Sequence, residues 1–199
     1  MNKGALIVVA WLLPFTIISA IAADYRGKEI KELKNQIKSI KLENQLLKDE
    51  LKPYQEAKAY IQRVNPGAVH RTGQIVNGAK RHDLPLKLVL LSIHAESDFN
   101  WNAVGRAGER GPLQVMPQTF QMVSKGDFLN PDDCFDAGLL YLSMCYKKAK
   151  GDYNLTLAYY NGGLSCKKPL QVARAHVSRC NGIRRRYWEA VMCTNGAKG

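Results

Sequence analysis

Three hydrophobic patterns follow one another along the 199-residue chain. Gly4 to Ala23 is an apolar run broken only by Pro14, Thr16 and Ser19, with Lys3 before it and a charged stretch after it. Such a run leads a chain to a membrane. It does so either as a signal peptide cleaved after the small-residue pattern Ala20-Ile21-Ala22, or as an anchor of about 20 residues that just spans a bilayer. The length of the run favours the anchor. Positive charge on both flanks, Lys3 against Arg26 and Lys28, leaves its orientation undecided.

The second pattern steps by three and four: Ile30, Leu33, Ile37, Ile40, Asn44, Leu47, Leu51, Tyr54. This is a heptad seam with Ile, Ile, Asn and Leu at a, and Leu, Ile, Leu and Tyr at d. That choice favours a parallel two-stranded coiled coil, with Asn44 fixing its register. Glu29 to Lys34 and Glu43 to Lys48 are g to e' pairs of opposite sign in such a dimer. The alternative is an amphipathic helix packed on its own domain. Pro53 interrupts the pattern, and Asn65-Pro66-Gly67 makes a turn where a globular domain begins.

Beyond that turn every signal is helical. Asp83 is placed to cap a helix that Pro85 enters, running through Leu86, Leu88, Val89, Leu90, Leu91, Ile93 and Ala95; it is apolar nearly all round and so buried. Further helices are expected near Pro117–Lys125, Pro131–Lys150, Tyr153–Asn161 and Ile183–Met192. The fold class is all-α. The division reads as a signal or anchor segment over 1–23, a coiled-coil stalk over 24–56, a linker over 57–67 and a catalytic domain over 68–199.

Charge changes the picture only a little. The net charge is +12, and from Asn65 onward 18 Lys and Arg stand against 10 Asp and Glu, an excess of +8. The globular part alone therefore suits a polyanionic partner. No helix-turn-helix, zinc-finger or ribonucleoprotein motif points to nucleic acid. The five cysteines, Cys134, Cys145, Cys166, Cys180 and Cys193, form no C-x-x-C pair, and His70, His82 and His176 show no ligand spacing, so no metal is expected. Cys166 and Cys180 either close a short basic loop or are separate buried thiols. Arg184-Arg185-Arg186 reads as a solvated helix face, and Tyr187 and Trp188 as closing the core.

Chemistry concentrates at Glu96. It is the first acid after the apolar stretch, near the helix's carboxyl end, where desolvation and the helix dipole both disfavour ionisation. A carboxyl group that keeps its proton near neutrality suits a general acid that protonates a departing glycosidic oxygen. Asp98, two positions on, points away from Glu96, and so does His94, two positions back. Glu109, in a Gly-rich loop, is the other nearby acid.

Glu96-Ser97-Asp98-Phe99-Asn100, then Gly111-Pro112-Leu113-Gln114-Val115-Met116-Pro117-Gln118-Thr119, then Ala158-Tyr159-Tyr160-Asn161-Gly162 stand in order and at compatible distances. Over roughly Ala68 to Met192 this resembles the soluble lytic transglycosylase family, with its E-S-x-F-N, G-L-M-Q-x-M-P-x-T and A-Y-N-x-G landmarks. Trp101 stands where the family often has Pro, Gly105 where Ser is common, Glu109 where Ala is common, and Pro112-Leu113 replaces Leu-Met. Trp101 then adds an aromatic surface that bears on sugar preference.

The resemblance implies a lysozyme-like fold and no cofactor. It implies cleavage of the β-1,4 bond between N-acetylmuramic acid and N-acetylglucosamine in peptidoglycan, with 1,6-anhydro ends and Glu96 as acid and then base. Ser97 and Gln114 would bind sugar polar groups or orient Glu96, and Met116 would offer an apolar wall. Tyr160 would place its hydroxyl near the acetamido group, with Asn161 beside it. Most glycosidases need a second carboxylate; in the family the substrate's acetamido group takes that part. A wall-cutting enzyme would work in the cell envelope, on the periplasmic side of the inner membrane, or with a virion if phage-encoded. The rival readings are a goose-type lysozyme-like hydrolase and a scaffold protein that binds glycan without cutting it.

Overall fold

The computed structural model describes the backbone of residues 3–189, and the side chains of residues 23–188 together with those of Ile17 and Ser19. Its elements are α1 (Lys3–Val64), a 3-10 turn (Pro66–Arg71), α2 (Thr72–Arg81), α3 (Leu86–Ser97), α4 (Pro117–Val123), α5 (Pro131–Lys148), α6 (Tyr153–Gly162), α7 (Pro169–Val172), α8 (Arg174–Arg184) and a π turn (Arg185–Glu189). The described residues are all-helical apart from isolated bridges, Val104 with Arg110 and Arg110 with Val115. They divide into two units, 1–51 and 52–199.

In the first unit α1 carries the heptad positions on one face, and Ile30, Leu33, Ile37, Ile40, Leu47 and Leu51 are each about half exposed. The side chains of the expected membrane segment, 1–23, lie almost wholly outside the described residues. Among the described residues no helix is long and apolar enough to cross a membrane.

The second unit takes in more of α1 than the sequence suggests. Residues 57–64, read as linker, are the last turns of the helix, and they bury Ala57, Tyr60 and Ile61 in the core. Pro53 does not end α1. Tyr54, expected to close the heptad seam, serves the globular unit: its hydroxyl donates to Asn77 Oδ1 at 2.6 Å and Lys80 lies over its ring. The seam therefore stops at Leu51.

The centre of this unit is α3. Leu88, Val89, Leu90, Leu91, Ile93 and Ala95 are each at most 2% exposed, and α2 and α8 pack directly against the helix. Ile75 and Val76 from α2, Phe135, Leu139 and Leu142 from α5, Leu157 from α6 and Ile183 from α8 complete the core. Burial of this kind, at about 25 cal/mol per Å2 of apolar surface, holds short helices that water alone would not.

Local signals explain several starts. Asn130 accepts the Asp132 N–H at 2.9 Å ahead of Pro131, and α5 carries Asp132 and Asp133 in its first turn and Lys147 and Lys148 in its last, matching the helix dipole. Asp152 caps α6 through the Leu155 N–H. Asp83 does not cap α3: it sits at φ 52°, and Pro85 occupies the cap position with no side-chain bond. The helix expected at Ile183–Met192 starts earlier in the structure. Its residues continue α8, which begins at Arg174, and then enter the π turn; Ala190 onward and Cys193 lie outside the described residues. Cys134, Cys145, Cys166 and Cys180 are free thiols, so Cys166 and Cys180 do not close a loop here.

The buried end of α1 gives a direct test. Ile61→Ala is expected to destabilise the globular unit by about 3 kcal/mol, the usual cost of a large-to-alanine change in a core. Leu47→Ala in the first unit should leave its urea midpoint unchanged.

Candidate active site

Beyond Glu96 the chain turns sharply. Asp98 and Phe99 are both left-handed, at φ 50° and 61°, a conformation that costs roughly 1–2 kcal/mol for a residue with a Cβ. Three contacts hold the turn. The Asp98 N–H returns to His94 O at 3.2 Å, Asn65 Nδ2 donates to Asp98 O at 3.1 Å, and the Phe99 ring is buried beside Tyr60 and His94. Glu96 thus sits on the last turn of the central helix, where it leaves the core.

The loop that follows folds into a hook. Gly105 N–H bonds Glu109 O, Gly111 N–H bonds Ala103 O, and Arg110 and Val115 exchange both backbone bonds. Its consecutive carbonyls at 111, 112 and 113 then receive three side chains. Gln114 Nε2 donates to Gly111 O at 2.9 Å, the Ser97 hydroxyl to Pro112 O at 2.8 Å and the Tyr160 hydroxyl to Leu113 O at 2.8 Å. Three of the residues selected from sequence therefore clamp one loop from α3, from α6 and from within. Gly138 on α5 lets that loop approach, since a Cβ there would meet Leu113 at 2.8 Å.

Of the remaining candidates, Met116 caps α4 and is 37% exposed. Asn161 is exposed in the last turn of α6. It does not end the helix, because Gly163 at φ 89° is the cap and returns its N–H to Tyr159 O. Trp101 offers no free aromatic face. It is 7% exposed, lies under the Arg71 guanidinium, packs on Phe135 and donates its indole N–H to Asp132.

The Glu96 side chain is 17% exposed. Burial pushes its carboxyl up from 4.5 to about 7; the Arg179 guanidinium opposes the rise and the Glu109 carboxylate adds to it. Burial also raises the Tyr160 phenol well above 10.0, and the neighbouring Glu96 adds to that. Asp98 is exposed and turns to His94 Nε2, 3.5 Å away. His94 is buried, and its Nδ1 lies 2.7 Å from the Tyr60 hydroxyl, so the pair forms a packed polar contact away from Glu96.

Glu109 is tied back into its own loop, accepting the Ala107 N–H at 2.9 Å. Its side chain occupies the space that a Cβ on Gly105 would fill. The absence of a side chain at 105 thus leaves the room that the Glu109 side chain takes.

One contact was not legible in the sequence. His176 Nε2, from α8, lies 3.6 Å from Glu96 Oε1. Eighty positions separate the two residues, and nothing in the spacing around His176 marks it.

A family model described as "Transglycosylase SLT domain" matches residues 73–177, more than half of the chain. Over 127 residues the chain is 30% identical to the membrane-bound lytic murein transglycosylase D of Escherichia coli strain K12, and equally to that of Escherichia coli O6:H1 strain CFT073. Each match covers 61% of this chain and 28% of the relative, so the chain spans little more than a quarter of their length. A solved structure of an inactive mutant of the lytic transglycosylase Slt from Pseudomonas aeruginosa aligns with 59% of this chain and 24% of that one, at 21% identity and a TM-score of 0.48.

The raised proton affinity of Glu96 has a stability consequence. The folded chain holds this proton up to about pH 7, whereas a group at 4.5 releases it earlier, so between those values the folded state binds more protons and stability falls as pH rises. Glu96→Gln removes the cost of a buried carboxylate. It should raise unfolding stability at pH 8 by about 3 kcal/mol at most and give no comparable gain at pH 4, as read by chemical denaturation at both pH values.

Proposed function

The chain belongs to the transglycosylase SLT domain family, and on that premise we propose that it cleaves the β-1,4 bond between N-acetylmuramic acid and N-acetylglucosamine in peptidoglycan, leaving 1,6-anhydromuramyl ends. The observation that carries this reading is the buried Glu96 carboxyl, protonated up to about pH 7, beside a loop clamped by Ser97, Gln114 and Tyr160.

Glu96 gives its proton to the bridging oxygen as the bond from C1 breaks. The muramyl C6 hydroxyl then attacks C1, and its proton returns to Glu96. The substrate's acetamido group supports C1 in between, which is why one carboxylate suffices. Ser97, Gln114 and Tyr160 fix the loop over the acid, with Met116 and Asn161 at its rim as sugar contacts.

A hydrolytic outcome, of goose-type lysozyme character, is the second reading. It draws on Glu109, whose carboxylate acts electrostatically on Glu96 and is the candidate to activate a water. Mass spectrometry of digested glycan separates the two: anhydro ends support the lyase, reducing ends the hydrolase.

The same reading extends to the rest of the chain. The uncovered stripe from Ile30 to Leu51, with Asn44 within it, supports a parallel homodimer. The apolar run at 4–23 supports attachment to the inner membrane; a wall-cutting domain would stand on its periplasmic side, which suits local wall opening for a secretion apparatus or a phage particle.

Glu96→Gln is expected to abolish turbidity loss in wall suspensions, by at least about a hundredfold in rate, while the parent's rate falls as pH rises through about 7. Undiminished lysis by the variant would falsify the enzymatic reading. For the stalk, Ile37→Lys with Ile40→Lys should convert a sedimenting dimer to a monomer; a parent that sediments as a monomer at every concentration refutes the dimer.

A further inference from the structure

α8 brings three polar side chains against the end of α3. His176 and Cys180 are one helical turn apart, and His176 is only 10% exposed along its side chain. Its Nε2 lies 3.6 Å from Glu96 Oε1 and 3.5 Å from Cys180 Sγ. Arg179, the residue before Cys180, acts electrostatically on Glu96, His176 and Cys180 alike. From other elements, Tyr160 on α6 and Glu109 in the hook face the same carboxyl.

Burial and Arg179 both disfavour the imidazolium, so His176 is neutral near pH 7. A neutral imidazole carries one N–H and one lone pair. The Cys180 thiol is pushed up to about 12 and keeps its proton. A protonated thiol 3.5 Å away can donate to a lone pair on Nε2, and against it stands the Glu96 oxygen, the stronger partner once that group has lost its proton, which favours the tautomer with hydrogen on Nε2. The separation is a few tenths of an ångström beyond a hydrogen bond; catalytic contacts commonly begin long and shorten as the reacting geometry is reached.

We propose that His176 is the positioning residue of the acid: its Nε2–H donates to Glu96 Oε1, so that Oε2 carries the transferable proton, and together with Arg179 it meets the negative charge left behind. Without such a donor the two carboxyl oxygens are of equal standing. With it, the oxygen facing α8 is held and the other is left to carry the proton. The proposal rests on the reading of Glu96 given above.

The test uses the full chain labelled with 13C and 15N. The ring 15N shifts of the parent near pH 7 should report hydrogen on Nε2; hydrogen on Nδ1 overturns the proposal without any variant. His176→Ala should raise the Glu96 titration midpoint by about one pH unit and cut turnover roughly tenfold. His176→Gln, which returns an N–H at similar reach, should bring the midpoint back close to the parent. A midpoint that stays put or falls in His176→Ala, or that moves equally in both variants, refutes the positioning role. That failure is distinct from failure of the underlying reading, which shows itself as lysis that survives Glu96→Gln.

Discussion

The loop beside Glu96 turns three successive carbonyls toward side-chain donors; Gly111 O also accepts the Gln114 N–H at 3.1 Å, whereas for Pro112 O and Leu113 O side chains supply what a sheet or helix would have given. Gln114, Ser97 and Tyr160 each answer one of them. Ser97 is the residue after the acid, and Tyr160 belongs to a helix more than sixty positions away. Their shared target makes the hook, α3 and α6 one rigid frame. A hydroxyl that holds a buried carbonyl contributes modestly while present and costs more when removed, because the carbonyl is then left without a donor. The precision of the site thus derives from satisfying the backbone, and the hydrogen bonds that look available to a sugar are first those of the scaffold.

Within that frame the electrostatics of Glu96 are a contest between solvent exclusion and one cation. Burial dominates and raises its proton affinity; Arg179 keeps the rise within reach of neutral pH. Either influence alone would serve poorly. A carboxyl with full exposure would be ionised, and one sealed away from any positive charge would hold its proton too firmly to give it up.

Much of this was legible in the chain because it is local. The apolar stretch of α3, the acid at its end, the capped starts of α5 and α6 and the three family landmarks all lie within short windows. What escaped has a common physical origin in long-range contact. Tyr54, Tyr60 and Ile61 obey a heptad or linker pattern while serving the core. α8 lacks a strong apolar period and begins without a side-chain cap, so the pattern marks its start too late and gives His176 no role beyond the absence of ligand spacing. Trp101 looked like a sugar platform because an aromatic in a loop usually is exposed, yet Asp132 draws it inward. Asp83 had the right residue type for a cap but the wrong backbone, since its left-handed φ turns the chain before Pro85.

Gly105 and Glu109 share one volume, so the two positions are coupled by shape. A side chain added at the first would meet the outer carbons and carboxyl of the second, and because those atoms end a flexible chain it is Glu109 that would swing aside, giving up its hold on the Ala107 N–H.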